Sequence, residues 1–517
     1  MNNASDTHWD AIVIGSGMGG MAAAAALSNV GHKVLLLEQY QTLGGLTHSF
    51  SREGFTWDAG IHYLSGIAPG ELERDLLDWL SETPISFVSM GAVYDNLHIG
   101  DAPPLALSRP YEAQERDLKD RFPDETQAIE AWTAALREGR EAMHKIFPTR
   151  AMPELLGTAL QWWNGRAIRR WCERTTQEVM DEVTDNADLK AAFASQWGDH
   201  GGRPGKASFA MHALISASYL EDGSWYPVGG GAAFAEHILP TISACGGEAR
   251  AGVRVETLLF EGDRVVGVRT ADGDEFRADV VISDIGARET VNNLLPADSG
   301  QDDWITEIRS LPPSIAHFSL FLGFEGDVKN AGATRSNHWI YPTGEVDVLW
   351  TNAPNGAPPS MFVSFASIKD PSHDPGPSQK HAGEMLAWTE WSVVEKWAET
   401  ASGARGDCFR SFKARVEDAM FEQFATYFPE LAELVVFREL ATPLATTAIT
   451  GHYQGAFYGL DVTPERVMSG ALRAKTPIEG LFLAGQDVAS PGIPGALWGG
   501  MLAAASVDPT VFRQFRG

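Results

Sequence analysis

The stretch WDAIVIGSGMGGMAAAAALSNVGHKVLLLEQ holds Gly15, Gly17 and Gly20 in the spacing G-x-G-x-x-G, and Glu38 stands 23 residues after the first of them. These residue types in this order can hold a dinucleotide. The first glycine permits a tight turn, the second lets backbone N–H groups approach a pyrophosphate, and the third lets a helix pack on a strand. A carboxylate at the spacing of Glu38 accepts hydrogen bonds from a ribose diol. Glycine-rich turns alone are common. Here, however, the fingerprint is flanked by a β-branched run from Ala11 to Ile14, an alanine-rich helix through Leu27 and a second apolar run from Lys33 to Leu37. Strand, helix and strand so arranged point a helix N-terminus at the phosphates.

Two further segments bear on which dinucleotide is held. Gly44 and Gly45 follow Glu38 closely, and a glycine pair there lets a loop pass the same pyrophosphate from the other side. Near the far end, EGLFLAGQDVASPGIPGALWGGMLAAA sets Gln486 and Asp487 between a short apolar strand and a small-residue helix starting near Gly495. An acid there can bond a ribityl chain and pyrophosphate while the helix N-terminus faces a flavin. Chain segments from both ends meeting around one extended cofactor is the FAD pattern rather than the NAD pattern. The simpler alternative is an ordinary Rossmann end strand with a glycine turn. Between them, residues 246–287 read as three β-rich runs, the third of which, Ala278 to Ser283, is apolar enough to rejoin the main sheet. Val255 would offer backbone contacts to an adenine, or it is merely a strand residue.

Proton chemistry needs imidazoles, phenols or carboxyls near the cofactor. His62, in AGIHYLSG at 59–66, stands between two readings, one beside flavin or substrate and one in a packed turn. His212, Tyr219 and Tyr226 precede the glycine cluster Gly229–Gly231, and His452 and Tyr458 sit in a strand-like stretch leading back to the cofactor domain. For these, packing is the simpler reading. His62, His212 and Tyr458 are the catalytic candidates. Cys172, Cys245 and Cys408 form no C-x-x-C pair, so no metal site is expected.

These groups must be positioned by more than one core, since 517 residues exceed a single compact domain. The expected fold class is α/β, a Rossmann-type FAD-binding domain with a mixed α+β substrate domain. Cofactor-binding parts are expected at 1–84, 223–300 and 466–517. A mainly helical insertion at 85–222 and a mixed one at 301–465 would make the substrate domain. A formal net charge of −28 repels nucleic acid and disfavours blanket adhesion to anionic lipid. Scarce cysteine points to a reducing compartment. The N-terminal MNNASDTHWD lacks the basic and apolar regions of a signal peptide, so a cytoplasmic location is expected. One segment runs against the acidic average. Residues 154–174 carry Trp162, Trp163 and Trp171 beside Arg166, Arg169, Arg170 and Arg174. This helix either touches a membrane surface or a tunnel mouth, or pairs its arginines with carboxylates and packs its tryptophans inside.

The phrases EGFTWDAGIHYLSG, KASFAMHALISASYLEDGSWYPVGGGAAFAEHILP, AITGHYQGAFYGL and GLFLAGQDVASPGIPGALWGG resemble the retinol saturase and carotenoid isomerase branch of the phytoene-desaturase-like flavoproteins. The resemblance spans nearly the whole chain in the expected order. It implies a glutathione-reductase/amine-oxidase-like fold, FAD without a metal, and an apolar polyene or isoprenoid substrate. The implied chemistry is saturation of a carbon–carbon double bond, with cis–trans isomerisation and desaturation as alternatives. By the same resemblance, the turn before His62 runs beside the isoalloxazine. No second glycine fingerprint announces a nicotinamide site, so the electron donor is NADPH bound transiently or a partner protein. Many amine-oxidase-like relatives flank the glycine pair with arginines. Leu43 and Leu46 stand there in this chain, which weakens an amine or alcohol oxidase reading. A flavin-independent prenyl-lipid carrier, like the GDP dissociation inhibitors, is disfavoured by the intact Gly15, Gly17, Gly20, Glu38 and Asp487.

Overall fold

The computed structural model describes residues 8–150, 152, 157, 165–296, 299–346 and 358–516, with the side chain of residue 167 left out. Strand His8–Ile14 lies at the centre of a parallel sheet because its apolar residues are covered on both faces. Val34–Leu37 and then Glu248–Arg250 pair on one side of it, and Glu275–Ser283 and then Leu481–Leu483 on the other. The outer half of Glu275–Ser283 also closes an antiparallel meander with Arg264–Thr270 and Val255–Glu261. Ala278 to Ser283 therefore does rejoin the main sheet. Residues 246–287 also hold one more strand than the three runs expected, Glu248–Arg250.

Helix Met18–Asn29 is buried almost all round, as its run of alanines requires. On its outer side it meets helix Gly492–Val507, which begins three residues before Gly495. The two backbones come close because small residues face each other. A Cβ on Gly500 would fall 2.9 Å from the Cβ of Ala22. Any larger residue there would wedge the helices apart.

A second sheet of seven strands runs Val435–Ala441, Ala316–Glu325, Lys380–Thr389, Met361–Ser364, Asn337–Tyr341, Val93–Ile99, Leu105–Ser108. The pairing of Asn337–Tyr341 with Val93–Ile99 is parallel. This sheet therefore draws strands from both insertions, including the one expected to be mainly helical. Its side chains alternate between faces. Phe318, Leu320, Leu322 and Met385 pack under helix Gly406–Tyr427 through Val416, Met420 and Phe424. The opposite face carries His317, Ser319, Glu384 and Trp388, and it backs onto the turn that bears His62. Helices Thr126–Arg150 and Phe209–Asp222 pack together and wall the space between this sheet and the parallel one.

Trp162 and Trp163 lie outside the described residues. Trp171 is buried, its indole N–H donates to Glu138 at 3.2 Å, and the Arg170 guanidinium lies over its ring. Among the described residues, no helix is long and apolar enough to cross a membrane.

Candidate active site

One cavity of about 1370 Å³ extends from the glycine-rich turns to the surface. At one end it is lined by Gly15, Gly17, Glu38, Gly45, Asp284, Glu289, Gln486 and Asp487. At the other, Leu72, Phe147, Met152, Trp498 and Phe512 bring it to the surface, where Leu72 and Met152 remain exposed. Between these ends stand His62, Tyr63, Asp199, Leu214, Ile215, Tyr219, Phe457 and Tyr458.

The glycine end has the shape of a cradle. Gly15 takes φ +98°, a turn that only glycine adopts without strain. A Cβ on Gly17 would fall 2.8 Å from Asp284 Oδ2, and one on Gly45 would fall 2.9 Å from Gly17 Cα. The Gly44–Gly45 loop is thus pressed against the fingerprint, as the glycine pair suggested. Gly44 N–H donates to Ser16 Oγ at 2.9 Å. Gly20 does not reach the cavity, because a Cβ there would collide with the Gly15 carbonyl. It fits helix to strand, the task assigned to the third glycine. Glu38 accepts from Ser16 N–H at 2.9 Å, Ser16 Oγ at 2.8 Å and Tyr40 N–H at 2.8 Å. A carboxylate has about four acceptor sites, so one remains for a ribose hydroxyl. Val255 and Gly495 also line the cavity.

Asp487 is buried and ties loops together. Its carboxylate accepts from Ala287 N–H at 2.9 Å and Leu460 N–H at 3.0 Å, with Arg466 3.8 Å away. Arg466, fully buried, also donates to the carbonyls of Leu460 and Gln486. Asp284 sits under the fingerprint turn. Burial, reinforced by the charges of Glu38 and Asp487, lifts its carboxyl to about 8 against the pull of the Gly20 N–H. Sequence reasoning missed Asp284 and Glu289. The usable signal was an acid directly after the parallel strand Glu275–Ser283, where ligands meet open α/β sheets.

His62 faces the cavity with its Nδ1 3.9 Å from Glu384 and its Nε2 buried without a partner among the described residues. Burial, aided by the charge of Lys369, drives its imidazole down to about 3, so it is neutral at physiological pH. An orphaned ring nitrogen on a cavity wall awaits a ligand. Together with the glycine cradle and the free acceptor site of Glu38, it fits an extended dinucleotide carrying a planar ring system.

Tyr458 lines the cavity, and burial raises its phenol well above the ordinary tyrosine range. His452 lines it too, with Nδ1 2.8 Å from the Ala456 carbonyl, but in a 3-10 turn and not in the strand expected. Gly451, Gly455 and Gly459, all with positive φ, curl the chain there. His212 is not on the wall. Helix Phe209–Asp222 offers the cavity Leu214, Ile215, Ser218, Tyr219 and Asp222. His212, one turn earlier, is turned toward His200 at 3.0 Å and the Phe193 carbonyl at 3.0 Å. Tyr226 is likewise behind the wall and bonds Asp58, which also accepts from Gly231 N–H at 2.8 Å and Ser49 Oγ at 2.6 Å. That knot anchors the turn from which His62 projects. Among the described residues, no cluster of three or more His, Cys, Asp or Glu could hold a metal ion.

Comparison with known proteins places this geometry. The family model described as flavin containing amine oxidoreductase matches residues 18–380. The chain is 30% identical over 518 residues to all-trans-retinol 13,14-reductase of Danio rerio, covering 95% of this chain and 84% of that protein. It is 24% identical to prolycopene isomerase of Daucus carota, covering 94% and 77% respectively. Among solved structures, cyclohexylamine oxidase from Brevibacterium oxydans superimposes with a TM-score of 0.63 at 16% identity, covering 98% of this chain and all of that one. At that identity the likeness speaks for the fold alone.

Proposed function

Because the chain belongs to the flavin-containing amine oxidoreductase family and is an FAD-dependent oxidoreductase, we propose that it reduces a carbon–carbon double bond of an apolar polyene of the retinoid class. One observation carries this reading. The cavity that begins at the glycine cradle continues without a break into a chamber walled by Ile61, Leu64, Leu214, Ile215 and Phe457. Such walls suit a long apolar chain. The likeness to the zebrafish retinol reductase supports the substrate class.

In this reading Gly15, Gly17, Glu38, Gly45, Val255, Gln486, Asp487 and Gly495 hold FAD, while Gly20 and Gly44 shape the cradle from behind its wall. The bound flavin supplies a hydride equivalent beside the double bond. The chain's own residues do the rest. Apolar walls exclude water and align the polyene, which converts part of its binding energy into orientation. His62, neutral, orients the ligand through its unpartnered Nε2 and does not serve as a cationic acid. Tyr458 bounds the chamber near Asp199. Residues 1–84, 223–300 and 466–517 act as the cofactor domain, and 85–222 with 301–465 as the substrate domain. Electrons arrive from NADPH bound transiently or from a partner protein.

A second reading, cis–trans isomerisation of a carotenoid, draws on the likeness to the carrot isomerase. Product analysis separates the two. Anaerobic incubation of FAD-loaded, dithionite-reduced protein with all-trans-retinol is expected to yield a product carrying two added hydrogens by mass spectrometry. A product of unchanged mass and altered retention would favour isomerisation and count against reduction.

A further inference from the structure

We propose that Asp199 is the acid that delivers a proton to the bound polyene, and that Tyr63 and Asp95 hold that proton ready at the cavity wall. This rests on the reduction reading above, because saturation of a double bond consumes one hydride and one proton.

The geometry begins with a single hydroxyl between two carboxyl groups. Tyr63 Oη lies 2.9 Å from Asp95 Oδ2 and 2.8 Å from Asp199 Oδ2. A phenol has one hydrogen to donate. Were both acids ionised, one short oxygen–oxygen contact would have no proton in it, next to a second buried negative charge. One carboxyl therefore keeps its proton and donates back to Tyr63, so that both contacts become hydrogen bonds.

The surroundings decide which. Asp95 is fully buried and is served by two further donors, Asn337 Nδ2 at 2.9 Å and Trp339 Nε1 at 3.0 Å. The Lys369 ammonium group stands behind, bonded to Asn337, to Ser364 Oγ at 2.7 Å and to the His62 carbonyl at 2.8 Å. These two donors favour Asp95 as the carboxylate, and Lys369, whose ammonium burial draws down to about 7, adds to their pull when protonated. Asp199 has Tyr63 as its side-chain partner and no cation facing it among the described residues. Burial, with the charge of Asp95 adding to it, lifts its carboxyl well above the ordinary range. Burial raises Asp95 as well, but Asn337, Trp339, Tyr63 and Lys369 pull it back. The remaining titratable groups facing the pair, Tyr94, Tyr219, Tyr341 and Tyr458, are all held neutral by burial and by these acids.

Access completes the picture. Asp199, Tyr63 and Tyr219 line the cavity; Asp95 and Lys369 do not. The Tyr63 and Tyr219 rings stack at 4.6 Å, which fixes the phenol between the two acids. In the step, the Asp199 O–H bond breaks and a C–H bond forms at one carbon of the alkene. The hydride equivalent at the other carbon would come from the reduced flavin, which is oxidised in turn and re-reduced by the electron donor, so electrons and atoms balance. Asp199 is left as a carboxylate, and Tyr63 turns its one hydrogen from Asp95 to Asp199. Asp95 keeps its bonds to Asn337 and Trp339 meanwhile. A proton entering along the cavity restores the start. His62 is unfit for this role because it carries no labile positive charge near neutral pH.

Two measurements test the proposal. Infrared difference spectra of the FAD-loaded protein, native minus Asp199→Asn at pH 7, are expected to show the carbonyl band of a protonated carboxylic acid, shifting in D2O. Absence of that band overturns the proposal whatever the substrate is. Anaerobic single turnover of retinol is expected to slow at least about 100-fold in Asp199→Asn, the low end for loss of a positioned acid, with retinol affinity unchanged. A native rate in that variant overturns the proposal. If Asp199→Asn does not fold, Tyr63→Phe takes its place, and an unmoved carbonyl band there overturns it equally. If native protein shows the band yet leaves retinol unreduced, the reduction reading fails, and delivery from Asp199 falls with it.

Discussion

Replacing Asp284 by asparagine should make the FAD-free protein more stable, and increasingly so as pH rises. Asp284 lies beneath the fingerprint turn, where its carboxyl is raised from 3.8 to about 8. A group whose folded value is raised contributes stability that is complete below 3.8 and is lost as pH climbs to 8. Each pH unit in that window is worth about 1.4 kcal/mol. The ceiling is therefore about 4 kcal/mol lost at pH 7 and about 6 kcal/mol at pH 9. Buried sites relax and admit water, and half of each ceiling, about 2 and about 3 kcal/mol, is the expected effect. Asparagine keeps the acceptor for the Gly20 N–H and cannot ionise. Urea unfolding of native and Asp284→Asn apoprotein at pH 5, 7 and 9 should show a variant advantage growing by about 2 kcal/mol over the series. FAD affinity of native protein should weaken above pH 8, where a new anion faces the pyrophosphate, and that of the variant should not. An advantage that is flat or shrinks with pH would mean that Asp284 is already ionised in the folded protein.

Arg466→Met strips donors from the Leu460 and Gln486 carbonyls and the cation from Asp487. It should cost about 3–5 kcal/mol in urea unfolding, and a loss under about 1 kcal/mol would show that Arg466 is dispensable to the loops. Gly45→Ala forces a side chain into φ +55° and 2.9 Å from Gly17 Cα. Fluorescence titration should find FAD bound about 10–100-fold more weakly, given a conformational cost of about 1–2 kcal/mol plus displacement of the cradle. Ile215→Trp fills the apolar chamber, so it should raise KM for retinol while leaving the FAD spectrum unchanged.

What could be read from the sequence was what short spacing encodes. Gly15, Gly17, Gly20 and Glu38 fall within one strand–helix–strand unit, and their roles follow from turn geometry without tertiary information. The junction of chain ends at Asp487 was legible because a strand, a glycine turn and a small-residue helix recur there in order. Pairing across long separations was not. Strand Val93–Ile99 finds its partner Asn337–Tyr341 some 240 residues on, and no local pattern in the helix-rich insertion announces it. Asp95, Asn337, Trp339 and Lys369 meet only through that pairing. His212 misled because a histidine before a glycine cluster reads alike on either side of its helix, and the side was set by His200, a residue from another loop. Asp199, between glycines in WGDHGG, carries no periodic signal at all.

Whether the protein passes two electrons to a carbon–carbon double bond can be read in one anaerobic mixing experiment. The yellow protein is reduced with dithionite, freed of excess reductant and mixed with all-trans-retinol while the whole spectrum is recorded. The oxidised flavin bands should return in step with a move of the polyene band to shorter wavelength, one flavin per double bond. A polyene that binds while the flavin stays reduced and the band stays in place would contradict electron transfer to the double bond.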